Sequence, residues 1–248
     1  MTATALARVV HEQTIAVVPI AAVEQHGPHM PTGTDAILCT AIAEAVEQAL
    51  PEQIVLTPTV WLGASAHHLR LGATLNSELT TYVATLCDLA RSLLEDGTQR
   101  LLLLNGHGGN IDPMRIALRQ LQPMYPQALL AAGCYWSVAD ELRAATLEGE
   151  HSFVGHACEF ETSLMLHLRP DLVDERRVDA GPLIPDQIDG LFIARDMRQR
   201  TQAGYTGRPD LASPSKGKRL FEGIVTRLTA AIQRLLTQPQ GTEYQDLL

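Results

Sequence analysis

Apolar positions fall into two rhythms along the chain. Short runs that are apolar at nearly every position predict buried strands: "TIAVVPI" (14–20), "QIVLTPTV" (53–60), "RLLLLN" (100–105) and "ALLAAGCYW" (128–136). Between them, apolar residues recur at helical spacing over 35–50, 77–97, 112–125, 156–168 and 217–238, predicting helices. Thr34 or Asp35 and Ser77 stand where N-caps belong, Pro51 and Gly97 where helices stop, and Pro113 in a tolerated first-turn place. Residues 171–217 follow neither rhythm and are rich in Pro, Gly and Asp. A connection of that length predicts a functional or interface excursion. Strand–helix alternation predicts an α/β fold, a single-domain three-layer α/β/α sandwich over 1–248 with a mostly parallel central sheet.

Composition narrows the function classes. Hydrophobic residues make up 46% of the chain and aromatics only 4%, so the core rests on Leu, Ile, Val and Ala. The net charge of -9 argues against nucleic acid or an anionic membrane as partner, because both require a positive field. No apolar run approaches the roughly 20 residues of a membrane helix. The start "MTATALARVVHEQ" lacks the pattern of a secretion signal. Cys39, Cys87, Cys134 and Cys158 are scattered with no CxxC pair, which reads as free thiols in a reducing cytoplasm.

Three stretches hold the candidate chemistry. "VEQHGPHMPTGTD" follows the first strand, and Glu24 and His26, two apart, share a face in extended backbone, while Asp35 opens the next helix. "LLLLNGHGGN" carries His107 off the third strand into a glycine turn. That turn could also cradle a phosphate, although its spacing is neither GxGxxG nor a Walker motif. In "GHACEFETS", His156 and Glu159 are three apart and predicted to share a helical face, with Glu161 pointing elsewhere. Carboxylates and imidazoles at loop ends of one sheet suit Zn, Mn or Fe(II) better than Ca or Mg.

Together "EQHGPHMPTGTD", "NGHGGN" and "HACEFETS" resemble the signatures of the creatininase (creatinine amidohydrolase) family. "ASAHHLRLGAT" (64–74), aligning His68 and Thr74, and "GYTGRPDLASPSKG" (204–217) are similar to two further segments of it. The resemblance runs in order from about Val17 to Gly217. It implies the creatininase-like three-layer fold, a homohexamer, and two divalent metal ions (Zn, Mn or Fe). It implies hydrolysis of non-peptide C–N bonds in cyclic or small (formyl) amides. Carried over by motif, Glu24 and His26 bind different metals, Asp35 bridges them and His107 is a further ligand. His156 handles a proton beside the substrate. His29, His68, Asn105 and Glu161 are expected around the metals or the substrate pocket.

Two positions depart from the pattern. Creatinine hydrolases carry a Glu two residues after the glycine-turn His, and here that place is Gly109. Glu159 is the expected replacement ligand, with Glu161 as the alternative. Arg208 stands where relatives commonly carry an acidic residue. Relatives with the "NGHGGN" turn include formylated-pyrimidine deformylases and the mycofactocin precursor peptidase. The expected mechanism is attack on the amide carbon by a hydroxide bridging the two metals. The rival readings are a deformylase or small-peptide hydrolase of the same family, or a non-catalytic metal- or nucleotide-binding protein of the same fold. His11, His67, His151 and His167 read as ordinary surface or structural histidines.

Overall fold

Four parallel strands form the central sheet in the order β2-β1-β3-β4. They are β1 (Ile15–Ile20), β2 (Ile54–Leu56), β3 (Arg100–Asn105) and β4 (Leu129–Cys134). The computed structural model describes residues 2–6, 8–9, 11–149, 154–181 and 184–239. Every residue of β1 and β3 is buried, as strands covered on both faces must be. β1 pairs with β3 from Ala16 opposite Leu101 to Ile20 opposite Asn105. Pro19 costs the ladder nothing. Its carbonyl accepts from Val60, so its nitrogen faces the β2 side, where pairing has already ended at Leu56.

Five long helices cover the sheet: α1 (Thr34–Ala49), α2 (Leu79–Glu95), α3 (Ile111–Leu121), α4 (Glu159–Leu168) and α5 (Pro214–Thr237). The alternation of side chains along a strand decides which layer each residue feeds. Val17, Leu102 and Leu104 pack toward α1, α4 and α5, while Val18, Leu101 and Leu103 pack toward α2 and α3. α5 buries Leu220, Ile224, Leu228 and Ile232, one stripe four residues apart. Ser213 caps α5 by accepting from the Lys216 amide, with Pro214 in its first turn. The result is the expected three-layer α/β/α domain. No helix among the described residues is long and apolar enough to cross a membrane.

Several boundaries differ from expectation. The second strand is three residues long, because Pro58 cannot donate to the ladder, and only Val60 rejoins by a bridge to Ile20. Gly33 and Glu78, not Thr34, Asp35 or Ser77, precede the first turns of α1 and α2, and neither makes a side-chain cap. The fourth predicted helix begins at Glu159, so His156 lies ahead of it in a bend. The irregular stretch contains a small hairpin, Gln187–Ile188 against Leu191–Phe192, that leaves Ile188, Leu191 and Phe192 exposed. All four cysteines are free thiols. His151 lies outside the described residues.

Strand order reverses between β1 and β3, whose connections leave in opposite directions. In open parallel sheets the carboxyl ends at such a point form a crevice where ligands bind. The Glu24–His26 loop leaves β1 there, and the His107 turn leaves β3 beside it.

Candidate metal centre

The crevice is lined by a close-packed group of acids and imidazoles. Asp35 sits in the first turn of α1, which can approach the end of β3 only because residue 106 is glycine. A Cβ there would lie 2.6 Å from Cys39 Cβ. The approach splits Asp35 between two histidines: Oδ1 lies 3.1 Å from His26 Nε2 and Oδ2 lies 3.0 Å from His107 Nδ1. Glu24 Oε1 stands 3.3 Å from His107 Nδ1, 3.3 Å from His68 Nε2 and 3.5 Å from His156 Nδ1. Glu161 Oε1 is 3.9 Å from His26 Nε2.

Hydrogen bonds to the far side of each ring decide which nitrogen faces the group. His26 Nδ1–H donates to the Glu24 carbonyl at 3.0 Å, which turns Nε2 toward Asp35. His107 Nε2 lies 3.2 Å from both Ser65 Oγ and the Ala64 carbonyl, which turns Nδ1 toward Glu24 and Asp35. The glycine turn itself is held by its two asparagines. Asn105 Oδ1 accepts from the His107 amide and its Nδ2 donates to the His107 carbonyl. Asn110 donates to the Ala21 carbonyl and accepts from the Ala64 amide, joining three loops.

The charge balance is unusual for a buried site. Among the described residues, every ion-pair partner of Glu24, Asp35 and Glu161 is a histidine. Burial would raise the Asp35 carboxyl, but the neighbouring His26 and His107 hold it well below the usual range. Burial would lower His107, but Glu24 and Asp35 carry it up to about 10, and His26 is likewise raised. Glu161 is raised by burial, against the pull of His26. The raised values favour protonated His26 and His107, whose charge offsets that of the buried carboxylates. Cations can take the place of those protons, since metal binding displaces ligand protons. Among the described residues, Glu24 Oε2 is buried without any hydrogen-bond partner, and Asp35 Oδ2 has none in alignment. Orphaned carboxylate oxygens beside imidazoles that can give up a proton are what a divalent transition ion satisfies. Glu24, His26 and Asp35 each offer an atom within 4.8 Å of the others, and so do His26, His156 and Glu161.

Not every expected residue reaches the cluster, and Glu159 is the clearest departure. Its carboxylate accepts from the backbone amides of Glu148 and Gly149 and from Lys216 Nζ at 2.5 Å. It joins α4 to the start of α5 instead of facing a metal. The reason is local: Ala157 adopts a positive φ of 49°, so 156 and 159 never share a helical face. Glu161 Oε2 accepts the Ala157 amide at 2.6 Å while Oε1 turns to His26. His29 donates from Nε2 to the Ala157 carbonyl at 3.1 Å and so holds the same turn from the other side. Gly109 has no room for a carboxylate: a Cβ would sit 2.1 Å from the Ala64 carbonyl and 2.7 Å from His67 Cε1. Arg208 forks onto Asp210 and lies 3.7 Å from Asp179, which accounts for a cation at that position.

Two residues went unread. His67 is half-buried, stacks on His107 with ring centroids 5.6 Å apart, and belongs to a cluster with Glu24 and His107. Its doublet with His68 was the available signal. Gln25 touches both His68 and His156, and no sequence pattern marks it.

The family model described as "Creatininase: Creatinine amidohydrolase" matches residues 1–232. The mycofactocin precursor peptide peptidase of Mycobacterium tuberculosis (strain CDC 1551 / Oshkosh) is 29% identical, covering 91% of this chain and 87% of that protein. Creatinine amidohydrolase of Pseudomonas putida is 29% identical, with 92% of each chain covered. A solved mutant creatininase of Zn–Zn type superposes with a TM-score of 0.79 at 29% identity, covering 95% of each chain.

Proposed function

This chain belongs to the creatininase family, hydrolases that act on amide C–N bonds, and from that premise we propose that it cleaves a cyclic or small amide, formyl amides included, at a centre of two divalent ions. One observation carries the reading: the two Asp35 oxygens face different imidazoles, each with its own second carboxylate. Glu24, Asp35 and His107 would hold one ion, and His26, Asp35 and Glu161 the other. The ions would acidify a shared water and polarise the amide carbonyl. The donor set of nitrogen and oxygen accepts Zn, Mn or Fe.

The chain's own residues orient the reaction. His156 Nε2–H donates to the Gln25 carbonyl at 2.7 Å, leaving Nδ1 bare toward Glu24 and the crevice. Nδ1 takes the proton released by the attacking water and passes it to the leaving nitrogen. His156→Ala should therefore keep its metal and lose turnover roughly 10²–10⁴-fold. Elemental analysis beside a turnover assay checks this, and an unchanged rate removes His156 from the mechanism.

A peptide C–N bond is the second reading, because the mycofactocin precursor peptide peptidase is as similar to this chain as creatinine amidohydrolase is. Elemental mass spectrometry on protein purified without chelator should find about two equivalents of transition metal per chain. The loaded protein is then assayed on cyclic amides, formyl amides and short peptides. Cleavage confined to peptides would select the second reading. Absence of metal, with none taken up on reconstitution, would defeat both.

A further inference from the structure

Gln25 lies between two metal-facing residues, yet its carboxamide points away from them into a separate set of bonds. Its Oε1 accepts from the Gly27 amide at 3.1 Å, and its Nε2 donates to the Gly204 carbonyl at 2.6 Å. An amide donor on one side and a carbonyl acceptor on the other leave one orientation for the carboxamide. The second Nε2 hydrogen meets His68 Nδ1 at 3.0 Å. His68 Nδ1 is then the bare nitrogen, and its proton sits on Nε2, aimed at Glu24 Oε1 3.3 Å away. The neighbouring backbone carbonyl of Gln25 fixes the His156 tautomer in the same sense.

The Gly204 bond reaches a strap formed by residues 201–207. Thr201 Oγ1 donates to the Tyr205 carbonyl within it. Thr206 donates its amide to the His156 carbonyl and accepts the His156 amide on Oγ1, both at 2.9 Å. The strap therefore holds the His156 backbone, and Gln25 holds the strap to the metal loop. The carboxamide bonds His68 and the strap, 43 and 179 residues away in sequence, and the backbone carbonyl of the same residue bonds His156, 131 residues away.

We propose that Gln25 is a positioning residue that fixes the Nε2–H tautomer of His68 and ties the 201–207 strap, with His156 upon it, to the metal loop. Only the consequence for rate rests on the proposed hydrolysis. The tautomers do not.

The test uses the whole protein loaded with Zn and labelled with ¹⁵N-histidine. Long-range proton–nitrogen spectra should show a protonated Nε2 and bare Nδ1 on both His68 and His156. Gln25→Glu keeps the length but offers no N–H to His68 Nδ1. Its His68 should gain a proton on Nδ1, while kcat falls about 10²-fold with metal content and KM unchanged. Gln25→Met, which offers neither donor nor acceptor, should show both His68 tautomers. A wild-type His68 already protonated at Nδ1 would overturn the proposal, and so would an unchanged His68 tautomer in either variant. A wild type that hydrolyses no amide would defeat the function and leave the tautomer result to stand.

Discussion

Asp35→Ala should take the protein from about two equivalents of bound metal to none and abolish hydrolysis, while the fold survives. The reason is where the carboxylate points. Oδ1 and Oδ2 face His26 and His107 separately, so this one carboxylate spans the two proposed ligand sets. Without it, each half retains one carboxylate and one imidazole, fewer than the three or four protein ligands a tightly held transition ion takes. Loss of the fold is not expected. Asp35 makes no capping bond for α1, alanine is the strongest helix former, and the two imidazoles it faced can release their protons instead of staying charged and unpaired. Asp35→Asn separates charge from shape: its one oxygen can serve one half only, so about one equivalent at most should remain. Elemental mass spectrometry beside a thermal melt reads both variants. Two equivalents in the folded Asp35→Ala protein would end the bridging assignment.

Much of this site was legible before the structure because its parts sit at strand ends. All-apolar runs such as "RLLLLN" mark strands buried on both faces, and the loops that leave them must carry the function. Glu24, His26, Asp35 and His107 follow from that placement. What could not be read depends on partners far along the chain. Asp35 was a candidate helix cap, but its oxygens are engaged by His26 and His107, and Gly33 precedes the helix instead. Gln25 carries no mark in the sequence because its partners come from three distant segments. His156 was given helical spacing to Glu159, and one left-handed residue, Ala157, undoes that spacing. Local periodicity carries no information about such a residue, since alanine adopts positive φ only when its surroundings impose it.

Those surroundings make the contrast between Glu159 and Glu161 the second decisive experiment. The two acids are two apart in the first turn of α4 and chemically alike, yet they face opposite duties. Glu161→Gln keeps its one oxygen for the Ala157 amide and turns its NH2 toward His26, so it should lower bound metal from two equivalents toward one, with hydrolysis lost. Its stability should change little, because the Ala157 amide can still donate to the remaining amide oxygen. Glu159→Gln should do the reverse. It removes the buried one of two negative partners of Lys216, whose mostly buried ammonium is then left with the Leu211 carbonyl and the exposed Glu148. Breaking a buried pair on one side costs about 3–5 kcal/mol. In a chain of this size that lowers the melting temperature by roughly 6–20 °C, with both metals and the specific rate of the folded protein retained. Metal content and melting temperature, measured on the two variants side by side, therefore move in opposite columns. A Glu159→Gln protein that melts normally but binds one metal would restore Glu159 as the ligand and remove Glu161 from the site.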